Sequence, residues 1–206
     1  MRFKNYIIEN KLLDIISIEQ MAKLFSKDCK PFFKDFYNIW DGEFFLSGRK
    51  NATSIFDKKR VRTDRRPLDT PEDIHNLINH WFYKKFGIKA RGSSIFCTFS
   101  HTISTDYGIS YYIIPIGKYA AIASPNIKDF YGNIIDDGTG NLDMNSEDDK
   151  EYIINSLEKG NYKINKRFKD NQTEYMVSCK EYYMIESYYM TEDIIEQVLT
   201  EMGISP

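Results

Sequence analysis

Three short segments of the 206-residue chain carry polar groups at one end of an apolar run. They are Phe44-Phe45-Leu46-Ser47-Gly48-Arg49, Ser94-Ile95-Phe96-Cys97-Thr98-Phe99-Ser100 and Gln172-Thr173-Glu174-Tyr175-Met176-Val177. Arg49 offers a planar fork of N–H donors, and the preceding Gly48 lets an anion approach the backbone. Thr98 and Ser100 fall on one face of an extended segment, with Phe99 opposite. Gln172 and Glu174 share a face if the backbone between them is extended. An arginine, a hydroxyl pair and a carboxylate beside an amide make a site for an anionic, ribose-bearing ligand. A fixed carboxylate there stabilises a cationic, oxocarbenium-like ribosyl centre more than the ground state.

Each residue also has a structural reading. Glu174 can be a surface acid opening an edge strand, and Gln172 a loop residue. Thr98 and Ser100 can cap a short helix beginning near His101. Arg49 can be a solvated arginine at a strand end, and Tyr107 a core tyrosine rather than a platform for an aromatic ring. Arg91 and the basic stretch Lys58 to Arg66, in which six of nine residues are Lys or Arg, can hold phosphates or form a solvated loop.

The elements that position these groups follow from periodicity. Residues 5 to 39 read as helical, with an apolar face from Ile7 through Phe25 and a second helix starting at Pro31. Asp41-Gly42 is a turn, and 44 to 49 the first strand. Residues 50 to 70 form a polar connection. Thr70 caps a helix with Pro71 in its first turn, Ile74, Leu77, Ile78, Trp81 and Phe82 on one face, and Gly87 at its end. Residues 94 to 99, 109 to 115, 118 to 123, 174 to 179 and 182 to 188 read as strands. Residues 101 to 107 form a short helix or turn, 132 to 149 an exposed loop, and 147 to 159 a helix. Thr191 caps the last helix. The fold class is α+β, with a helical N-terminal part over residues 1–40 and a domain over 41–206 built on a mixed β-sheet with flanking helices.

Composition sets the bounds. The chain is 42% hydrophobic and 28% charged, with a net charge of -2, which argues against a protein that coats nucleic acid. Fifteen Tyr and fourteen Phe supply core volume and flat faces for stacking. Cys29, Cys97 and Cys179 form neither a C-x-x-C pair nor a zinc pattern with His75, His80 and His101. A reduced cytoplasm is the simplest setting. Charged and polar residues interrupt Met1 to Ile16, and Pro115, Gly117 and Lys118 break Tyr107 to Ser124, so neither a signal peptide nor a membrane span is expected.

In their order, Arg49, the Thr98–Ser100 pair and Gln172–Glu174 resemble the arginine–serine–glutamate signature of mono-ADP-ribosyltransferases. The resemblance spans residues 44 to 179. Thr98 stands where the family has serine, and Phe99 where it has the middle threonine. The resemblance implies a split mixed sheet on which three strand tips meet at an NAD cleft. It makes Glu174 the catalytic acid and Gln172 the residue that orients an acceptor other than arginine. Arg49 would bind the cofactor's phosphates or ribose, Thr98 and Ser100 would support Glu174, Tyr107 would stack on nicotinamide, and Arg91 would contribute to phosphate binding. The implied activity is NAD-dependent transfer of ADP-ribose to a protein or nucleic acid in the cytoplasm.

Residues 91 to 128 also look like uncharacterised proteins common in bacteriophages and their hosts. That implies a toxin or a modifier of host machinery, with an inhibitor or antitoxin as a further partner. Two other readings stand beside the enzyme. One is a non-catalytic phage or bacterial protein that inhibits a host factor through its aromatic surface and N-terminal helices. The other is a nucleic-acid-binding module built on the stretch from Lys58 to Arg66.

Overall fold

The computed structural model describes residues 11–65, 70–128 and 142–204. Residues 5–10 of the expected N-terminal helix and most of the expected loop over 132–149 lie outside the described residues. The architecture is α+β. In chain order the elements are α1 (Ile18–Asp28), α2 (Lys30–Asp35), β1 (Phe45–Arg49), β2 (Phe56–Arg60), α3 (Glu72–Phe86), β3 (Ile95–Cys97) and α4 (His101–Asp106). They continue as β4 (Ile109–Ala123), α5 (Glu147–Lys159), β5 (Lys163–Ile164), β6 (Tyr175–Glu186) and α6 (Glu192–Glu201).

The six strands run β1-β4-β6-β2, with β3 pairing β6 and β5 pairing β4. The sheet is antiparallel where a mixed sheet was expected. Two strands do not turn back where a break was expected. Residues 109 to 115 and 118 to 123, read as separate strands, form the single fifteen-residue β4. Gly117 takes a positive φ of 68°, a conformation that costs glycine little, so the strand passes the break instead of reversing. Residues 174 to 179 and 182 to 188 likewise merge into β6, because Lys180 and Glu181 carry no turn chemistry. The supposed polar connection contains β2, which pairs with β6 from Phe56↔Ile185 to Arg60↔Glu181.

The chain divides into two compact units made of interleaved segments. The first comprises Met1–Arg60, Cys97–Tyr119 and Cys179–Pro206, and the second Val61–Phe96 and Ala120–Ser178. Helices α1 and α2 supply core residues of the first unit. Ser17 caps α1 reciprocally with Gln20, accepting from the Gln20 N–H while the Gln20 side chain accepts from the Ser17 N–H. Phe25, Phe32, Phe36, Trp40 and Phe45 are fully buried. Phe32 touches Phe33, Phe36, Phe44, Phe45 and Tyr119. Each such ring contributes about 1.5–3 kcal/mol by leaving water. The Trp40 indole donates to Tyr119 Oη at 2.7 Å, and that hydroxyl donates to Asp35 at 2.7 Å. Helix α1 packs on α6, whose Thr191 cap accepts from Ile194 N–H.

In the second unit α3 packs on α5. Helix α3 begins at Glu72, with Pro71 rather than Thr70 at its N-cap, and Gly87 ends it with φ 72°. Acids in its first turn and Lys84 and Lys85 in its last complement the helix dipole. Ile74, Ile78, Trp81 and Phe82 pack with Ile122, Ile153, Leu157, Tyr162 and Met176. Ser146 caps α5, which spans the expected residues.

Candidate functional site

The sequence-predicted residues fall in both units. Arg49, Thr98, Ser100 and Tyr107 belong to the first, and Arg91, Gln172 and Glu174 to the second.

Arg49 ends β1, paired with Ile109. It is half-buried, and its Nε is shut off from water without a hydrogen-bond partner. Its Nη2 donates to Tyr182 Oη at 3.5 Å, the outer limit of a hydrogen bond. Burial pushes the Tyr182 phenol up, and Arg49 pulls it down. Arg49 lines a concavity of about 380 Å³ with Lys50, Asn51, Thr53, Asp57 and Lys59, over Tyr182 and Met184. The β2–β6 register builds its floor, because Asp57 faces Met184 and Lys59 faces Tyr182. Lys59 and Asp57 form an ion pair at 2.5 Å.

Gly48 serves another purpose than the expected one. A Cβ on it would lie 2.0 Å from the Ser104 carbonyl oxygen and 2.7 Å from Tyr107 Cβ. The glycine admits α4 against β1, not an anion against the backbone. Tyr107 ends α4 and is 63% exposed, so it is not a core tyrosine. Thr98 bridges to Leu46, and its Oγ1 accepts from the Ser100 N–H at 3.1 Å. Ser100 Oγ accepts from the Ile103 N–H at 3.3 Å, capping α4. One acceptor position on each hydroxyl is therefore spent on local backbone.

In the second unit Gln172 lies in a turn closed by Thr173 N–H to Asp170 O at 3.1 Å. The extended backbone that would align Gln172 with Glu174 is absent there. Gln172 is exposed and accepts from Lys128 Nζ at 3.4 Å, while Lys128 pairs with Asp170 at 2.6 Å. Glu174 directly precedes β6 and is half-buried. It shares an electrostatic neighbourhood with Arg91. Burial and then the Glu174 charge push the buried Tyr162 phenol up, and Arg91 opposes them.

Arg91 is 9% exposed and sits above the Phe96 ring at 5.5 Å, with the Arg65 guanidinium at 3.9 Å from the same ring. Beside them, Asn79 Oδ1 accepts from the Gly92 N–H at 3.0 Å, and Asn79 Nδ2 lies 2.8 Å from His75 Nε2. Burial first, then the Arg91 charge, holds the His75 pKa below its ordinary value.

Sequence reasoning named Lys59 only as part of the basic stretch, and missed Asp57 and Tyr182 in the first unit and Tyr162, His75 and Asn79 in the second. The i, i+2 spacing of Asp57 with Lys59, and of Tyr182 with Met184, was the available signal for the former. For His75 and Asn79 it was the i, i+4 spacing on α3.

The basic stretch spends much of its charge internally. Lys58 and Arg60 flank Glu181 at 3.2 and 3.3 Å, Lys59 meets Asp57, and Arg62 meets Asp64 at 3.2 Å. That weakens its claim on a phosphate backbone. None of the three cysteines forms a disulfide. Burial pushes the Cys29 thiol up and the Cys179 thiol up to about 12, which suits neither as a nucleophile. Among the described residues no group of His, Cys, Asp and Glu could hold a metal ion, and no helix is long and apolar enough to cross a membrane. Comparison with protein-family models, with curated proteins and with solved structures gives no match.

Proposed function

We propose that the chain is an NAD-dependent ADP-ribosyltransferase with Glu174 as its catalytic carboxylate. One observation carries the reading. Glu174 and Arg91, each a candidate from sequence alone, act on the same Tyr162 phenol from within one unit. A half-buried carboxylate just before a strand, and a buried guanidinium in the same unit, offer opposite charges to a ribosyl cation and to a phosphate. The C1′–N bond to nicotinamide breaks with its electron pair going to the ring nitrogen, so the cationic pyridinium leaves as neutral nicotinamide. Glu174 stabilises the oxocarbenium character that develops at C1′. A nucleophilic oxygen or nitrogen of the macromolecular acceptor then bonds to C1′ and gives up its proton to solvent or to a nearby base. In this reading Gln172 contacts the acceptor from its exposed turn. The activity fits a toxin or a modifier of host machinery.

The test uses purified protein, radiolabelled NAD and cell lysate. Wild type transfers label, and Glu174→Gln, which keeps the shape and removes the charge, loses it by about a hundredfold or more. Label transfer by Glu174→Gln at the wild-type rate rules out the assigned role. NAD that leaves the melting temperature of wild type unchanged at millimolar concentration counts against the whole reading.

A further inference from the structure

The concavity of the first unit has chemistry of its own. Three cations line it, Arg49, Lys50 and Lys59, against one carboxylate, Asp57. The Lys59–Asp57 pair accounts for that carboxylate and leaves two positive charges over. Arg49 makes no ion pair among the described residues. A half-buried guanidinium has lost part of its hydration, and an opposite charge ordinarily compensates that loss. Here its protein contact is a neutral phenol at the limit of bonding distance. Around it stand further donors, the Asn51 amide and the Thr53 hydroxyl, both on exposed residues. The Ser54 hydroxyl is already committed to the Phe56 carbonyl at 2.7 Å. At about 380 Å³ the space suits a small molecule and not a polymer surface.

We infer that this concavity is a binding site for a small phosphate-bearing ligand, held by Arg49, Lys50 and Lys59. The fork of Arg49 takes two oxygens of one phosphoryl group. The lysines act as point charges on a neighbouring one. Asp57 sets the affinity by holding part of the Lys59 charge, so the site favours a dianion that competes for Lys59 over a monoanion that does not. This inference needs neither ribose nor bond cleavage, and it stands or falls separately from the transfer reaction assigned to Glu174.

Calorimetric titration at constant ionic strength tests it, with inorganic pyrophosphate and ADP as probes and chloride as the reference anion. Wild type binds pyrophosphate with a Kd on the order of 1 mM or tighter. Arg49→Gln and Lys59→Gln each weaken binding by about three- to tenfold, and Asp57→Asn, which removes the competing carboxylate, strengthens it by a similar factor. Lys163→Gln, on the exposed β5, leaves it unchanged. The opposite directions of Asp57→Asn and Lys59→Gln separate a lost site from a damaged fold. ADP binding tighter than pyrophosphate assigns the site to a nucleotide, and equal or weaker binding assigns it to the phosphoryl groups alone. Both outcomes uphold the inference. Equal affinities across all variants, or no saturable binding up to about 20 mM, overturn it. Pyrophosphate binding retained by Glu174→Gln upholds it even where label transfer from NAD has failed.

Discussion

Replacing Gly48 with alanine measures how tightly β1 and α4 are joined beneath the Arg49 concavity. The added methyl would sit 2.0 Å from the Ser104 carbonyl oxygen, 2.7 Å from Tyr107 Cβ and 3.0 Å from the Tyr107 carbonyl carbon. Side-chain Cβ atoms essentially never come within 3.0 Å of another heavy atom, so the overlap is about 1 Å at its worst. None of these three atoms lies at the end of a flexible side chain. Helix α4 must therefore move as a body. That displacement strains the Ser104–Ser110 hydroxyl contact at 2.7 Å and the bridge from Leu46 to Thr98. Overpacking of this kind costs about 3 kcal/mol, at the upper end of the usual range. For a chain of this size it lowers the melting temperature by roughly 6–12 °C. Urea unfolding followed by near-ultraviolet circular dichroism reads the first unit through Trp40 and its ring neighbours. A Gly48→Ala protein within about 0.5 kcal/mol of wild type would refute the packing argument. Weakened pyrophosphate binding at unchanged stability would return the glycine to the ligand.

Two further outcomes follow from the polar interior. Tyr119→Phe removes the acceptor of the Trp40 indole and the donor to Asp35, so it costs about 1–3 kcal/mol in urea unfolding; a loss below about 0.5 kcal/mol would show that the relay is dispensable. His75 has a folded-state pKa below its ordinary 6.5, so the unfolded chain takes up its proton first as pH falls. Its contribution is complete above about pH 6.5 and is lost as pH falls from there through the lower folded-state pKa. The stability difference between pH 7.5 and 5.5 should shrink in His75→Gln, and an undiminished difference would assign the slope to other groups.

Much of the helical framework was legible because amphipathic spacing and caps are local. Ile74, Ile78, Trp81 and Phe82 identify α3 without reference to anything else, and Thr191 marks the start of α6. Strand β2 was invisible because Asp57, Lys58, Lys59 and Arg60 carry no apolar alternation. Its order comes from β6, where Tyr183 stacks on Phe56 at 5.5 Å and Glu181 gathers two cations. The continuity of β4 was equally hidden, because Pro115 and Gly117 read as a break, and that of β6 because Lys180 and Glu181 interrupt its apolar run. Among site residues, the position of Arg49 at the end of β1 and the capping role of Ser100 follow from local pattern. The partners of Arg49 and Glu174 do not, because Tyr182 and Tyr162 are brought to them by long-range strand pairing and core packing.

The interleaving of the two units has a consequence for biogenesis. All of Val61–Phe96 and Ala120–Ser178 has been synthesised before Cys179–Pro206 leaves the ribosome. The unit begun first is thus completed last. Its phenylalanine-rich interior stays open throughout translation of the other, because two thirds of β6 and all of α6 are still missing. Nascent chains arrested before residue 179 should therefore recruit chaperones through exposed aromatic surface, and amino-terminal fragments should be insoluble when expressed alone.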